Sequence, residues 1–248
     1  MRQPLDGKRL LIFGATGGVG RAVCAEAHAA GARLHLSARS DDPLADFAAQ
    51  LGAGHTVGDV TSSSAVDAVF AAARSALGGL DGIVLAVGSV ILKPAHRTSD
   101  ADWAATRAVN LDAALHVVRA AAQAMMRAGG GSIVLFSTAA AHAGVPNHAA
   151  IAAAKAGVEG LVRATAATYA SRGLRINAVA PGLVDTPLTA RITGNAAART
   201  ASEKMHGLGR LGDADDIAHA VRFLLESTWT TGQVLVVDGG LSGVKGGR

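Results

Sequence analysis

The 248-residue sequence has a single cysteine, Cys24, and only 3% aromatic residues. One cysteine excludes an internal disulfide and a cysteine metal cluster, and it is typical of a reducing compartment, so we expect a cytoplasmic protein with no metal site. The formal net charge is +4, but the basic residues are scattered and the aromatic rings are too few to stack on bases. We therefore expect a small-molecule ligand and no nucleic-acid partner.

Long hydrophobic runs are also absent. The longest nearly unbroken ones, at 10–13 and 83–92, fall short of the roughly 18–20 residues that span a bilayer. No apolar stretch precedes the first predicted strand, so we expect neither a membrane span nor a signal peptide.

Short apolar runs do alternate with alanine-rich helical patterns along the whole chain, half of which is hydrophobic. Such alternation predicts βαβ units and a parallel sheet covered on both faces. No Pro/Ser-rich linker divides the chain, so residues 1–248 are predicted to form one doubly wound α/β domain. The predicted strands are 9–13, 33–37, 55–57, 82–87, 132–137, 175–179 and 234–237, and the predicted helices lie near 18–30, 43–51, 63–77, 99–128, 150–172 and 213–226.

The least regular stretch is 186–211, which has weak periodicity and contains Pro187, Gly194 and Gly207. A late irregular segment in an open α/β fold is either a mobile substrate lid or an ordinary surface connection.

A glycine-rich turn follows the first predicted strand and leads into the first helix. Glycine permits positive φ and close approach of a phosphate, and a helix N-terminus offers unpaired N–H groups with partial positive charge. At the first βα junction this pattern indicates a pyrophosphate site, although glycines in such turns also serve tight packing. The candidate residues are Gly14, Thr16, Gly17, Gly18, Val19 and Gly20.

The ends of the second and third strands predict the adenosine side of that ligand. Arg39 and Ser40 follow the second strand, where an acidic residue would bind a ribose 2′-hydroxyl and arginine favours a 2′-phosphate. This favours NADP over NAD, with a solvated arginine as the alternative. Asp59, before Val60, either accepts from the adenine amino group or caps the next helix.

With these features in place, the whole chain resembles the short-chain dehydrogenase/reductase family. The resemblance rests on ordered motifs: the G-x-x-x-G-x-G turn, Asp59, Asn110, Ser137-Thr138 after the fifth strand, Lys155, Pro181-Gly182, Thr186-Pro187 and the C-terminal stretches 209–217 and 231–240. The resemblance implies cofactor contacts at Ala86 and Gly88, although residues 85–88 read Leu-Ala-Val-Gly where the family has Asn-Asn-Ala-Gly. It implies a Rossmann-type, seven-stranded parallel sheet of order 3-2-1-4-5-6-7. It also implies hydride exchange between NAD(P) and a carbonyl or alcohol, and a homodimer or homotetramer.

In that family a tyrosine transfers the proton, a serine holds the substrate oxygen, and a lysine four residues after the tyrosine binds the nicotinamide ribose. Here Thr138 stands in the serine position and Lys155 is present, but Ile151 occupies the tyrosine position. The only tyrosine, Tyr169, lies 18 residues further on, about 27 Å away along a helix. The resemblance therefore predicts Thr138, Lys155 and Asn110 as catalytic residues and leaves the usual acid missing.

Two functional hypotheses follow. The first is an NADP(H)-dependent oxidoreductase acting on a small carbonyl, alcohol, activated alkene or imine with another proton source: His142, His148, or a water held by Thr138, Asn110 and Lys155. The second is a catalytically impaired dinucleotide-binding sensor or partner subunit of an active homologue.

Overall fold

Seven parallel strands form one sheet in the computed structural model, which describes residues 5–244. The strand order is β3-β2-β1-β4-β5-β6-β7, as the sequence predicts. The strands are β1 (Arg9–Phe13), β2 (Arg33–Ala38), β3 (Gly54–Val57), β4 (Gly82–Leu85), β5 (Gly131–Phe136), β6 (Leu174–Pro181) and β7 (Val234–Val237). Strands β2 and β3 lie on one side of β1, and β4 to β7 lie on the other, so the strand order switches between β1 and β4. In such sheets, ligands bind outside the carboxyl ends of the strands at this switch point.

The helices connect these strands and cover both faces of the sheet. They are α1 (Gly18–Ala29), α2 (Asp41–Gln50), α3 (Ser63–Leu77), α4 (Asp100–Arg107), α5 (Ala113–Met125), α6 (Ala149–Tyr169), α7 (Ala190–Thr193), α8 (Ala196–Met205) and α9 (Ala214–Glu226). Local sequence fixes several ends: Ser62 Oγ caps α3 by accepting from Ala65 N at 3.3 Å, and Asp213 forms a capping box with Asp216 at α9.

Two hydrophobic layers flank the sheet because successive strand residues point to opposite faces. Leu11 and Phe13 pack on one side with α3, α5 and α6. Leu10 and Ile12 pack on the other side with α1, α2 and α9. Burial on both faces explains why β1 is apolar throughout instead of alternating.

Two regions differ from the predicted elements. The helix predicted at 99–128 is divided by one π-helical turn, Ala108–Asp112, between α4 and α5. The segment 186–211 contains α7 and α8, and its Arg199 binds Asp185 at 2.5 Å. Whether the segment moves as a lid stays a prediction.

Candidate functional site

The turn between β1 and α1 packs so closely that a side chain cannot be accommodated at two of its glycines. Gly14 and Ala15 donate their N–H groups to Ser37 O at 2.8 and 3.2 Å. Gly14 has φ +76°, and a Cβ there would overlap the carbonyl of Ala86, while a Cβ at Gly20 would overlap Gly14 O. These two glycines are required by backbone contact, whatever the turn binds.

The N-terminus of α1 has the character of an anion site. Helix α1 starts at Gly18, its N-cap Gly17 provides no side-chain cap, and its first turn contains no acidic residue. Unpaired first-turn N–H groups and the helix dipole suit a pyrophosphate. Thr16 and Val19 belong to the same turn, and Arg21 Nε holds it by donating to Thr16 O at 3.2 Å.

The segment after β6 approaches this turn from the other side. A Cβ at Gly18 would lie 2.8 Å from Thr186 Cγ2 and 3.2 Å from Pro187 Cδ. Gly182, after Pro181, is held by its N–H to Val237 O at 3.0 Å. The structure therefore brings the predicted phosphate turn together with the Thr186-Pro187 motif.

At the adenosine end, Arg39 and Ser40 are exposed between β2 and α2. Asp59 Oδ1 accepts from Thr61 N at 2.9 Å and from Thr61 Oγ1 at 2.7 Å. These bonds, the backbone one first, lower the pKa of Asp59, and Arg39 adds a smaller electrostatic contribution. The carboxylate thus stabilises the turn before α3, whereas Ser62 caps that helix; Val60, next in the chain, is buried.

Three predicted residues converge at the carboxyl ends of β4 and β5. Lys155 lies in α6 with 7% of its surface exposed, and its Nζ donates to Phe136 O at 2.9 Å. A Cβ at Gly88 would lie 3.3 Å from Asn110 Oδ1 and 3.9 Å from Lys155 Nζ. Burial lowers the pKa of Lys155 to about 8, because the charged ammonium loses hydration.

Asn110 sits in the π-helical turn between α4 and α5, a distortion frequently found at functional sites. Its Nδ2 donates to Thr106 O at 2.9 Å and to Ser89 Oγ at 3.0 Å, and its Oδ1 accepts from Ser89 N at 3.2 Å. Ser89 is a contact that the sequence did not suggest. The amide is therefore fixed against the chain just after Gly88.

Thr138 follows β5 in extended conformation, and its Oγ1 accepts from Ala140 N at 3.3 Å. Because the oxygen accepts that bond, the hydroxyl proton can be donated to another acceptor. Ile151 lies in the first turn of α6, four residues before Lys155, and is 5% exposed. An apolar side chain thus occupies the helix position one turn before the lysine.

The two candidate histidines contact the protein in different ways. His142 Nε2 lies 2.8 Å from Glu159 Oε1. His148 Nδ1 lies 2.7 Å from Pro146 O, to which it donates, and the residue precedes α6. Ser137 Oγ also donates to Glu159 Oε1, at 2.6 Å. Sequence reasoning missed Glu159, although its position four residues after Lys155 places both on one helix face.

Within residues 5–244, no group of three or more histidine, cysteine or acidic side chains is arranged to hold a metal ion. The helices of the described part are all too short or too polar to cross a membrane.

Comparison with known proteins identifies the family. Residues 14–242 match the family model described as Enoyl-(Acyl carrier protein) reductase. Galactitol 2-dehydrogenase (L-tagatose-forming) of Cereibacter sphaeroides is 37% identical over 95% of both chains. 3beta-hydroxysteroid dehydrogenase 1 of Eggerthella lenta is 33% identical, covering 98% of this chain and 96% of its own.

Among solved structures, a short-chain type dehydrogenase/reductase from Mycobacterium ulcerans superposes with a TM-score of 0.92 at 29% identity, covering 97% of this chain and 91% of that one. The order of the strands, the glycine turn and these matches all indicate the same family. The protein belongs to the short-chain dehydrogenase/reductase family of hydride-transfer oxidoreductases.

Proposed function

We propose that this protein is an NADP(H)-dependent oxidoreductase in which Lys155, with a water held by Thr138, Asn110 and Lys155, supplies the proton that a tyrosine supplies in the resembling family. The observation that carries the proposal is the convergence of buried Lys155 with Gly88 and Asn110, one helical turn from Ile151. The ammonium group of Lys155 is present although the side chain of Ile151, one turn away, has no proton to exchange.

The described residues fit a nicotinamide dinucleotide. The uncapped N-terminus of α1, whose first turn contains no acidic residue, suits a pyrophosphate. Arg39 would bind a ribose 2′-phosphate, which favours NADP, and Lys155 would bind the nicotinamide ribose. The dinucleotide supplies or accepts the hydride, so the protein has to provide only orientation and the proton.

Lys155 is suited to proton transfer because burial lowers its pKa to about 8. A general acid works best when its pKa is near the operating pH. Thr138 would donate its hydroxyl proton in a hydrogen bond to the substrate oxygen, since its own oxygen accepts from Ala140 N. Once the hydride has reached the carbonyl carbon, the ammonium of Lys155 would give one proton through the water to the substrate oxygen and become a neutral amine.

The histidines are less favoured as proton sources. His142 directs Nε2 to Glu159 Oε1, and His148 donates from Nδ1 to Pro146 O. Each bond engages one of the two ring nitrogens and leaves the other to exchange a proton. Lys155, in contrast, carries three protons, one of which it donates to Phe136 O.

The substrate class is a small carbonyl or alcohol. Galactitol and 3β-hydroxysteroids, named for two relatives, are both alcohols, which supports this class. Because Ile151 makes the proton-donor position apolar, an activated alkene or an imine, which needs no proton on oxygen, is also compatible.

Self-association is part of the proposal, as a homodimer or homotetramer. A Cβ at Gly160 of α6 would meet no atom within 4 Å, and Leu115 of α5 and Phe223 of α9 are 49% and 42% exposed. Close helix packing between subunits would cover such surfaces. Light scattering on the purified protein should give a dimer or tetramer; a monomer at micromolar concentration would contradict this part.

NADPH titration combined with a carbonyl panel tests the function. We expect NADPH to bind more tightly than NADH, and the wild type to oxidise NADPH with at least one carbonyl. Tight binding with turnover only after Ile151→Tyr would contradict the proposal and support the impaired sensor or partner subunit. Failure to bind either dinucleotide would contradict both hypotheses.

A further inference from the structure

Glu159 is a buried carboxylate one turn beyond Lys155 in α6. The residue is 8% exposed. Its Oε1 accepts from Ser137 Oγ at 2.6 Å and lies 2.8 Å from His142 Nε2. Arg163 Nη1 lies 3.9 Å from Oε2. A carboxylate with so little exposure is costly unless several donors satisfy it, and here they are provided.

The two buried charged residues of α6 contact the same short stretch of chain after β5. Lys155 donates to Phe136 O, whereas Glu159 binds Ser137 and His142. They do not pair with each other, although four residues apart on a helix is the spacing for an ion pair. Thr138 lies between the points held by Lys155 and Glu159.

The contacts of Glu159 indicate a clamp. Ser137 and His142 both direct a proton to the same oxygen, Glu159 Oε1. Because both bonds end on one oxygen, Glu159 joins Ser137 to His142. The two bonds thereby fix the distance between the end of β5 and the turn Ala139–Ala141, which ends at His142.

We propose that Glu159 is a positioning residue: by binding Ser137 and His142 it holds the 137–142 turn so that the Thr138 hydroxyl faces the substrate oxygen beside Lys155. The inference rests on the proposed function, because it assigns Thr138 as the group that orients the substrate. With Ile151 in place of a second oxygen-binding side chain, Thr138 is the side chain that orients the substrate oxygen directly.

Glu159→Leu and Glu159→Gln test the proposal, with Glu226→Leu as a matched control. Glu226 is another buried glutamate, 6% exposed, and pairs with Arg222 on α9. We expect Glu159→Leu to lower kcat about tenfold and leave the Kd of NADPH within twofold, since the phosphate turn is untouched. Glu159→Gln keeps an acceptor oxygen and should recover most of kcat, whereas Glu226→Leu should leave kcat within twofold.

Hydrogen exchange of residues 137–142 provides a readout independent of turnover. Glu159→Leu should accelerate exchange there and Glu226→Leu should not. If Glu159→Leu does not fold, the pair Ser137→Ala with His142→Leu removes both donors and should give the same faster exchange and lower kcat. Unchanged exchange, or a kcat loss equal in Glu159→Leu and Glu226→Leu, would overturn the proposal.

An inactive wild type would count against the proposed function and leave the clamp testable. The kinetic comparison would then be made in the Ile151→Tyr background, where Thr138 has the same position. A tenfold loss of kcat on adding Glu159→Leu supports the clamp there. No loss in that background overturns it.

Discussion

The predicted nucleotide site has a phosphate end, at the turn between β1 and α1, and a reacting end, at Lys155 and Asn110. The two ends differ in how closely they match the sequence pattern of the short-chain dehydrogenase/reductase family. At the phosphate end, Gly14, Gly18 and Gly20 all stand where a Cβ would meet other atoms closely. At the reacting end, Lys155 and Asn110 lie close together, but Ile151 stands where the family resemblance predicts the proton donor. We therefore expect cofactor binding and proton transfer to be separable in this protein by variants at the two ends.

The largest expected effect is on the reacting end. Lys155→Met removes the proposed proton source and should lower kcat about 10²–10⁴-fold, the usual contribution of general acid catalysis. Steady-state reduction of a carbonyl at saturating NADPH measures it. The control is Lys8→Met, which changes a lysine just before β1, at the amino ends of the strands, and should keep full activity.

Ile151→Tyr should raise kcat about 10²-fold for carbonyl reduction, because it adds a phenol one turn before Lys155. Ile151→Phe supplies a ring without the hydroxyl and should not gain activity. Equal gains in both variants would show that ring packing, and not proton transfer, limits the wild type. The Ile151 side chain is 5% exposed, so both rings are expected to cost about 1–3 kcal/mol of stability.

Lys155→Met should also stabilise the fold. Burial lowers the pKa of Lys155 from 10.5 to about 8, which corresponds to about 3 kcal/mol of penalty at neutral pH. Losing the hydrogen bond to Phe136 O offsets about 1 kcal/mol, so a gain of about 2 kcal/mol is expected at pH 7.

The pH dependence of that gain follows from the sign of the shift. Between pH 8 and 10.5 the unfolded lysine binds more protons than the folded one, so wild-type stability rises with pH over this interval. Urea unfolding should show that the free energy of unfolding of Lys155→Met exceeds that of the wild type by less at pH 10 than at pH 7. An advantage that stays constant would mean that the charge is not the cause.

The smallest effect concerns the adenosine side of the nucleotide site. Arg39→Gln should weaken NADPH binding about tenfold, a loss of about 1.4 kcal/mol, and leave NADH binding unchanged. Fluorescence titration with both dinucleotides measures this. Arg74→Gln, an exposed arginine of α3, should change neither; an equal loss for NADPH and NADH in Arg39→Gln would exclude a 2′-phosphate contact.

The sequence predicted the sheet well because its strands are apolar runs between glycines and polar turns. It did not predict the π-helical turn at Asn110, since the stretch 99–128 has no glycine or proline to mark an interruption of the helix. It also missed α7 and α8, which carry few large apolar residues and are held partly by the Asp185–Arg199 pair.

The reacting end was predictable only where a family motif marks it. The resemblance to the family marks Lys155, Asn110 and Thr138. Glu159 contacts Ser137 and His142, which lie 22 and 17 positions earlier in the chain. No local sequence pattern predicts contacts over such separations. Such contacts arise from how α6 lies against the end of β5.

The central claim, that Lys155 supplies the proton, is tested most directly by the pH profile of kcat for carbonyl reduction by the wild type at saturating NADPH. The account predicts activity that is constant at neutral pH and falls above about pH 8, as Lys155 loses its proton. A fall centred near pH 6.5, the range of an ordinary histidine, or no change up to pH 10 would contradict it.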